Sequence, residues 1–121
     1  MRDHSKLRAF ELADELVLLI YEVSKKFPKD EIYGLTSQMR RASVSIPSNI
    51  VEGCGRESDK EFSRFLEMAF GSLRETHYQW TVAVRLQYTP EDLKLAAKFV
   101  ELEKILFTLI KKIQNTPKAT S

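Results

Sequence analysis

Cysteine is nearly absent from this 121-residue chain; Cys54 is the only one. An internal disulfide and a cysteine zinc cluster are thereby excluded, and the composition suits a reducing cytoplasm. Glycine and proline are equally scarce, four of each, which leaves few turns and favours long helices. The longest apolar run, Leu16 to Tyr21, is far short of the roughly 20 residues that span a bilayer. The start, Met1-Arg2-Asp3-His4-Ser5-Lys6, leads into an amphipathic stretch holding Glu11, Asp14 and Glu15 rather than a signal peptide. No membrane partner is expected, and a cytoplasmic location is. An excess of one charge is missing too: 19 Lys and Arg oppose 17 Asp and Glu, a net charge of +2. A balance this weakly basic permits an acidic partner such as RNA without requiring one.

What remains is 43% hydrophobic and 30% charged, ordinary for a soluble globular protein and too apolar for disorder. The length suits one domain, residues 1–121, with one core. Four helical segments are legible. The first runs from about Ser5 to Phe27 and stops at Pro28. Thr36 or Ser37 can cap the second, which ends at Gly53 and Gly55. Ser58-Asp59-Lys60-Glu61 reads as a capping box for the third, whose stripe is Phe62, Leu66, Ala69 and Leu73, continued by Trp80, Val84 and Leu86. Thr89-Pro90-Glu91-Asp92 predicts the start of the fourth, ending near Asn115 with a frayed tail over 116–121. Long helices joined by short loops predict an all-α fold, an antiparallel up-down four-helix bundle.

The second helix is the most specified segment. At 100° per residue, Met39, Ala42, Ile46 and Ile50 share one side. Arg41, Ser45, Ser48 and Glu52 form a second stripe, with Asn49 at its edge, and Arg40, Val44, Pro47 and Val51 a third. Pro47 has no N–H, so it predicts a bend and a freed Ser43 carbonyl, with the hydroxyls of Ser43 and Ser45 at hand to re-satisfy the turn. The first and fourth helices carry more apolar residues than a bundle core consumes. Examples are Leu16 to Tyr21, and Leu93, Val100 and Phe107 among thirteen on the fourth helix. Self-association is the simplest source of a second buried surface.

Little chemistry is legible, and no catalytic residue, metal site or cofactor is assigned. A di-iron bundle needs Glu-x-x-His, but Arg74 lies three before His77, and only Met1 lies three before His4. Phosphate loops and nucleophile elbows are missing; Gly53-Cys54-Gly55 supplies only two glycines. Cys54 and His77 could pair as nucleophile and base, but a small structural cysteine and a rim histidine explain them more simply. Glu52 fits an ion pair with Arg41 or Arg56. Arg40, Arg41, Arg56, Lys60 and Arg64 make a modest basic cluster, interleaved with Glu52, Glu57, Asp59 and Glu61. Arg56, Lys60 and Arg64, flanking a loop and a capped helix start, are expected to be exposed and are the candidate phosphate contacts.

The run Arg40-Arg41-Ala42-Ser43-Val44-Ser45-Ile46-Pro47-Ser48-Asn49-Ile50-Val51-Glu52-Gly53, followed by Ser58-Asp59-Lys60-Glu61-Phe62 and Phe65-Leu66, resembles the proteins encoded in 23S rRNA intervening sequences. Tyr33 to Gln38 and Ala69 to Glu75 fit the same pattern. The resemblance implies a bacterial, cytoplasmic four-helix bundle that assembles as a homopentamer. It places Arg41, Ser45, Pro47, Asn49, Glu52 and Gly53 in a motif and subunit-interface role. The chain is also similar to the accessory variability determinant of diversity-generating retroelements, a pentameric bundle that binds nucleic acid. Two readings follow: a non-enzymatic ring that binds structured RNA such as rRNA, or a ring whose partner is another protein.

Overall fold

The computed structural model describes residues 2–116. Four helices carry the fold: α1 (Arg8–Ser24), α2 (Leu35–Cys54), α3 (Asp59–Arg85) and α4 (Leu93–Gln114). Short 3-10 turns at His4–Lys6 and Lys29–Glu31 precede α1 and α2, and no strand occurs among the described residues. Each helix packs on its two neighbours in chain order, and α4 closes back on α1. This is the antiparallel up-down bundle. Of the expected tail, everything beyond Thr116 lies outside the described residues.

The stripe of each helix meets the other three along the bundle axis. Leu16 and Ile20 from α1, Met39, Ile46 and Ile50 from α2, Leu66 and Leu73 from α3, and Phe99, Leu102 and Leu106 from α4 are all fully buried. Burying side chains of this size stabilises the fold by about 1.5–3 kcal/mol each. Charged pairs close the α1–α4 seam from outside, Lys98 with Glu15 at 2.6 Å and Arg8 with Glu101 at 3.7 Å. Being exposed, they add little.

Several helix ends differ from expectation. α1 stops at Ser24, and Phe27 is buried beyond it. α2 begins at Leu35, before Thr36 and Ser37, and its first N–H donates to Glu31 Oε1 at 3.2 Å. Thr36 is buried and does not cap. The carboxylate of Glu31 also accepts from Tyr88 Oη at 2.8 Å, tying the α1–α2 loop to the end of α3. Ser58 does cap α3, accepting from the Glu61 N–H at 3.1 Å, while the Glu61 carboxylate turns to Arg56. α4 starts after Asp92, which accepts from the N–H groups of Lys94 and Leu95. A carboxylate at the N-cap outcompetes the Thr89-Pro90 start because it satisfies two orphan donors at once. Leu86 leaves the α3 stripe: it terminates the helix and is half exposed. Gln87 follows in the left-handed region at φ 64°, turning the chain toward α4.

α2 runs through Pro47 as one helix, with the proline ring buried. The hydroxyls expected to serve the freed Ser43 carbonyl are engaged elsewhere. Asn49 donates its side-chain amide to the Ser45 carbonyl at 2.8 Å and to Ser45 Oγ at 3.0 Å. Ser43 Oγ donates to the Arg40 carbonyl instead. Ser45 Oγ also meets Ser72 Oγ of α3 at 2.8 Å. A motif of small polar residues thus serves the close α2–α3 contact, where a larger side chain would hold the helices apart.

Candidate functional site

The junction between α2 and α3 is where the sequence placed its candidate cations. Gly53 lets it close: a Cβ there would lie 2.9 Å from Phe65 Cβ and 3.1 Å from Phe62 Cδ1. Arg56 is only half exposed. Its Nη2 donates to Glu52 Oε1 at 2.6 Å, its Nε lies 3.9 Å from Glu61 Oε2, and its guanidinium sits 4.8 Å from the Phe65 ring centroid. Arg56 is thus partly exposed, as expected, but its charge is neutralised and its plane packed within the fold. Glu52 pairs with Arg56; Arg41 is exposed and has no ion-pair partner among the described residues.

Arg2 completes this knot, and sequence reading missed it. Its N–H donates to the Cys54 carbonyl at 3.1 Å and its Nη1 to the Arg56 carbonyl at 2.8 Å. Its Nη2 pairs with Asp59, and its guanidinium lies 4.2 Å from the Phe62 ring centroid. Orphan carbonyls at the α2 C-terminus attract a cation, but no local pattern marks which distant arginine supplies it. Cys54 is buried beneath, and that burial pushes its thiol above the ordinary range. A buried thiol held protonated is a structural cysteine, and His77 lies on another seam, so the two do not form a nucleophile–base pair.

Lys60 and Arg64 are exposed, on an open groove of about 1100 Å³ between the start of α3 and the end of α4. Glu57, Asp59, Glu61 and Glu67 line the same groove; Asp59 is paired with Arg2 and Glu61 with Arg56, so Glu57 and Glu67 balance the two cations. Its field does not favour a polyanion.

The α3–α4 seam is built differently. His77 Nδ1 and Glu103 Oε2 are 2.8 Å apart, and the imidazole stacks on Phe99 with centroids 4.5 Å apart and planes 2° from parallel. Phe70 and Phe107 meet further along the seam, at 6.5 Å. Beside them Arg74, Tyr78, Arg85, Lys104, Phe107 and Lys111 are exposed. Two smaller concavities, at Arg2 and Arg56 and at Ser24 to Arg40, lie away from His77.

Of the motif residues, Arg41 and Glu52 face solvent, Pro47 and Gly53 are buried, and Ser45 and Asn49 are half-buried in the α2–α3 contact. This pattern, with its α2–α3 hairpin, is shared more widely. The family model for 23S rRNA-intervening sequence proteins matches residues 5–113. The chain belongs to that family. A crystal structure from Bacteroides thetaiotaomicron, of a protein with unknown function from the S23 ribosomal protein family, is similar with a TM-score of 0.78 and 23% identity. The similarity covers 85% of this chain and 98% of that one, and it shows a shared fold. No curated protein matches the chain. No helix among the described residues is long and apolar enough to cross a membrane.

Proposed function

We propose that this family member is a non-enzymatic homo-oligomer, a closed ring of five subunits in the bacterial cytoplasm, that binds structured RNA. The observation that carries the assembly is apolar surface left open on the α1–α2 side. Leu18 is 68% exposed, and Tyr21, Val44 and Val51 are 39% exposed each. Val44 and Val51 are seven residues apart on α2, and Arg40 lies over the Tyr21 ring at 4.8 Å, so the two helices share this face. A ring needs two different patches per subunit rather than one self-complementary patch. The apolar α1–α2 face and the exposed polar stripe Arg41, Ser48 and Glu52 beside it supply two. The number five comes from the resemblance. Burial of Ser45, Pro47, Asn49 and Gly53 gives them the role of shaping α2 for that contact.

RNA binding is supported by exposed cations, Lys60 and Arg64 at the groove and Arg74, Arg85, Lys104 and Lys111 along α3–α4. Symmetry repeats each patch around the ring and multiplies its avidity for a polyanion. The second reading, a ring whose partner is another protein, is favoured by the neutralised Arg56 and the charge-balanced groove. Light scattering at micromolar concentration tests the assembly: a pentamer mass is expected, and a monomer overturns it. Fluorescence anisotropy with structured RNA across a salt series tests the ligand. Steep salt dependence is expected, and no binding at low salt makes the protein-partner reading the better one.

A further inference from the structure

We infer that the outer α3–α4 face is the RNA-binding surface, and that it takes a single-stranded segment by clasping phosphates with Arg74, Arg85, Lys104 and Lys111 while a base stacks at Tyr78. The inference rests on the RNA reading above and departs from the Arg56, Lys60 and Arg64 placement.

The contacts His77–Glu103 and Phe70–Phe107 fix the antiparallel register of the two helices. Arg74 lies between Phe70 and His77 on α3, four residues after one and three before the other, so it stands at the same seam. Register places it opposite Lys104. Tyr78 and Arg85 continue this line, and the Arg85 guanidinium reaches to 5.8 Å from the Tyr78 ring centroid. On α4, Lys111 extends over Phe107 at 5.5 Å. Arg74 to Arg85 covers about 16 Å of helix.

None of the four cations is in an ion pair among the described residues. At the seam Glu103 is engaged by His77 and mostly buried, and Glu75, beside Arg74, accepts from the Gln79 side-chain amide at 3.2 Å. Glu67 lies two turns before Arg74, in the lining of the groove at the start of α3. Tyr78 is 64% exposed and Phe107 53%, and Leu93 and Val100 continue the apolar strip at seven-residue spacing. Exposed rings between unpaired cations suit single-stranded nucleic acid, because each base offers a face to stack and each phosphate a charge. A duplex hides the base faces. A second copy of the chain is the competing occupant of this strip, and the ring mass of the fourfold variant decides between the two.

The test compares wild type with two variants on poly(U), on the poly(A)·poly(U) duplex and on heparin, a polyanion without bases. One variant is R74Q/R85Q/K104Q/K111Q; the other is Tyr78→Ala, with Tyr78→Phe as its rescue. All substitutions are on exposed positions, and helicity by circular dichroism checks folding. We expect poly(U) to bind more tightly than the duplex. The fourfold variant should lose well over tenfold in poly(U) affinity at low salt. Its log–log salt slope should shrink by about 3, near 0.7 for each phosphate contact removed. Tyr78→Ala should cost about tenfold on poly(U) with the slope unchanged, leave heparin binding intact, and be restored by Tyr78→Phe. If wild type binds poly(U) and the fourfold variant binds it equally, the face is wrong while the RNA reading stands. If wild type binds no RNA at low salt, both readings fall. A change in ring mass in the fourfold variant overturns the inference, because the face is then a contact between copies.

Discussion

The α2–α3 junction and the α3–α4 face hold similar numbers of cations, and they use them in opposite ways. At the junction Arg2 and Arg56 are drawn inward, each stacked on a phenylalanine, Phe62 or Phe65, and paired with carboxylates or backbone carbonyls. On the α3–α4 face no cation is in an ion pair among the described residues; Arg85 donates from Nε to the Thr81 carbonyl at 3.2 Å, and Arg85 and Lys111 lie over the exposed rings of Tyr78 and Phe107. Clustering of Lys and Arg along a sequence therefore does not locate available charge. Helix C-termini and interleaved acids consume it. Cations spaced seven and eleven residues apart along a seam whose central carboxylate, Glu103, is already engaged retain it.

The sharpest way to break this contrast is Gly53→Ala. The added methyl meets Phe65 and Phe62, with backbone behind them, so the junction should lose about 1–3 kcal/mol in thermal or urea unfolding. An unchanged midpoint would mean that the two helices close without the glycine. Next comes Arg2→Ala, which removes a charged donor from the Arg56 carbonyl and a cation from the Phe62 ring; about 1–2 kcal/mol should be lost in the same assay. On the other face, Arg74→Gln and Lys104→Gln should each leave stability within about 0.5 kcal/mol of wild type. Equal losses at both sites would erase the distinction between structural and available cations.

A smaller effect tests the opposite end of the bundle, where Glu31 and Tyr88 are joined. The hydrogen bond from Tyr88, then the one from Leu35 N–H, hold the Glu31 carboxyl below its ordinary value of 4.5. A lowered carboxyl pKa stabilises the fold above the unfolded value, and that stability is lost as pH falls through the lower, folded value. The Glu31 bond likewise raises the Tyr88 phenol above its usual 10.0, so its contribution is complete below that value and lost as pH rises through the raised one. Tyr88→Phe keeps the ring beside Phe27 and should flatten stability against pH below 4.5. Denaturant midpoints from acid to neutral pH measure this; parallel curves for wild type and variant would detach Glu31 from Tyr88.

Periodicity alone determined four helices and the core stripe Met39, Ala42, Ile46 and Ile50, because a buried helix face repeats at a spacing visible in any window. It also determined the Ser58 cap, a local contact between residues three apart. The motif around Pro47 carried the family, with its small residues in order. The chain could not announce contacts between residues distant in sequence. Arg2 reaches Asp59 across 57 positions, Tyr88 reaches Glu31 across the same span, and His77 meets Glu103 across 26. Competing local signals also misled, as at Thr89-Pro90, where Asp92 offers the better cap. Which arginine is neutralised and which remains free is decided only by the packed helices, since it depends on what stands opposite each side chain across a seam, and helical spacing fixes a residue's own face but not its neighbour.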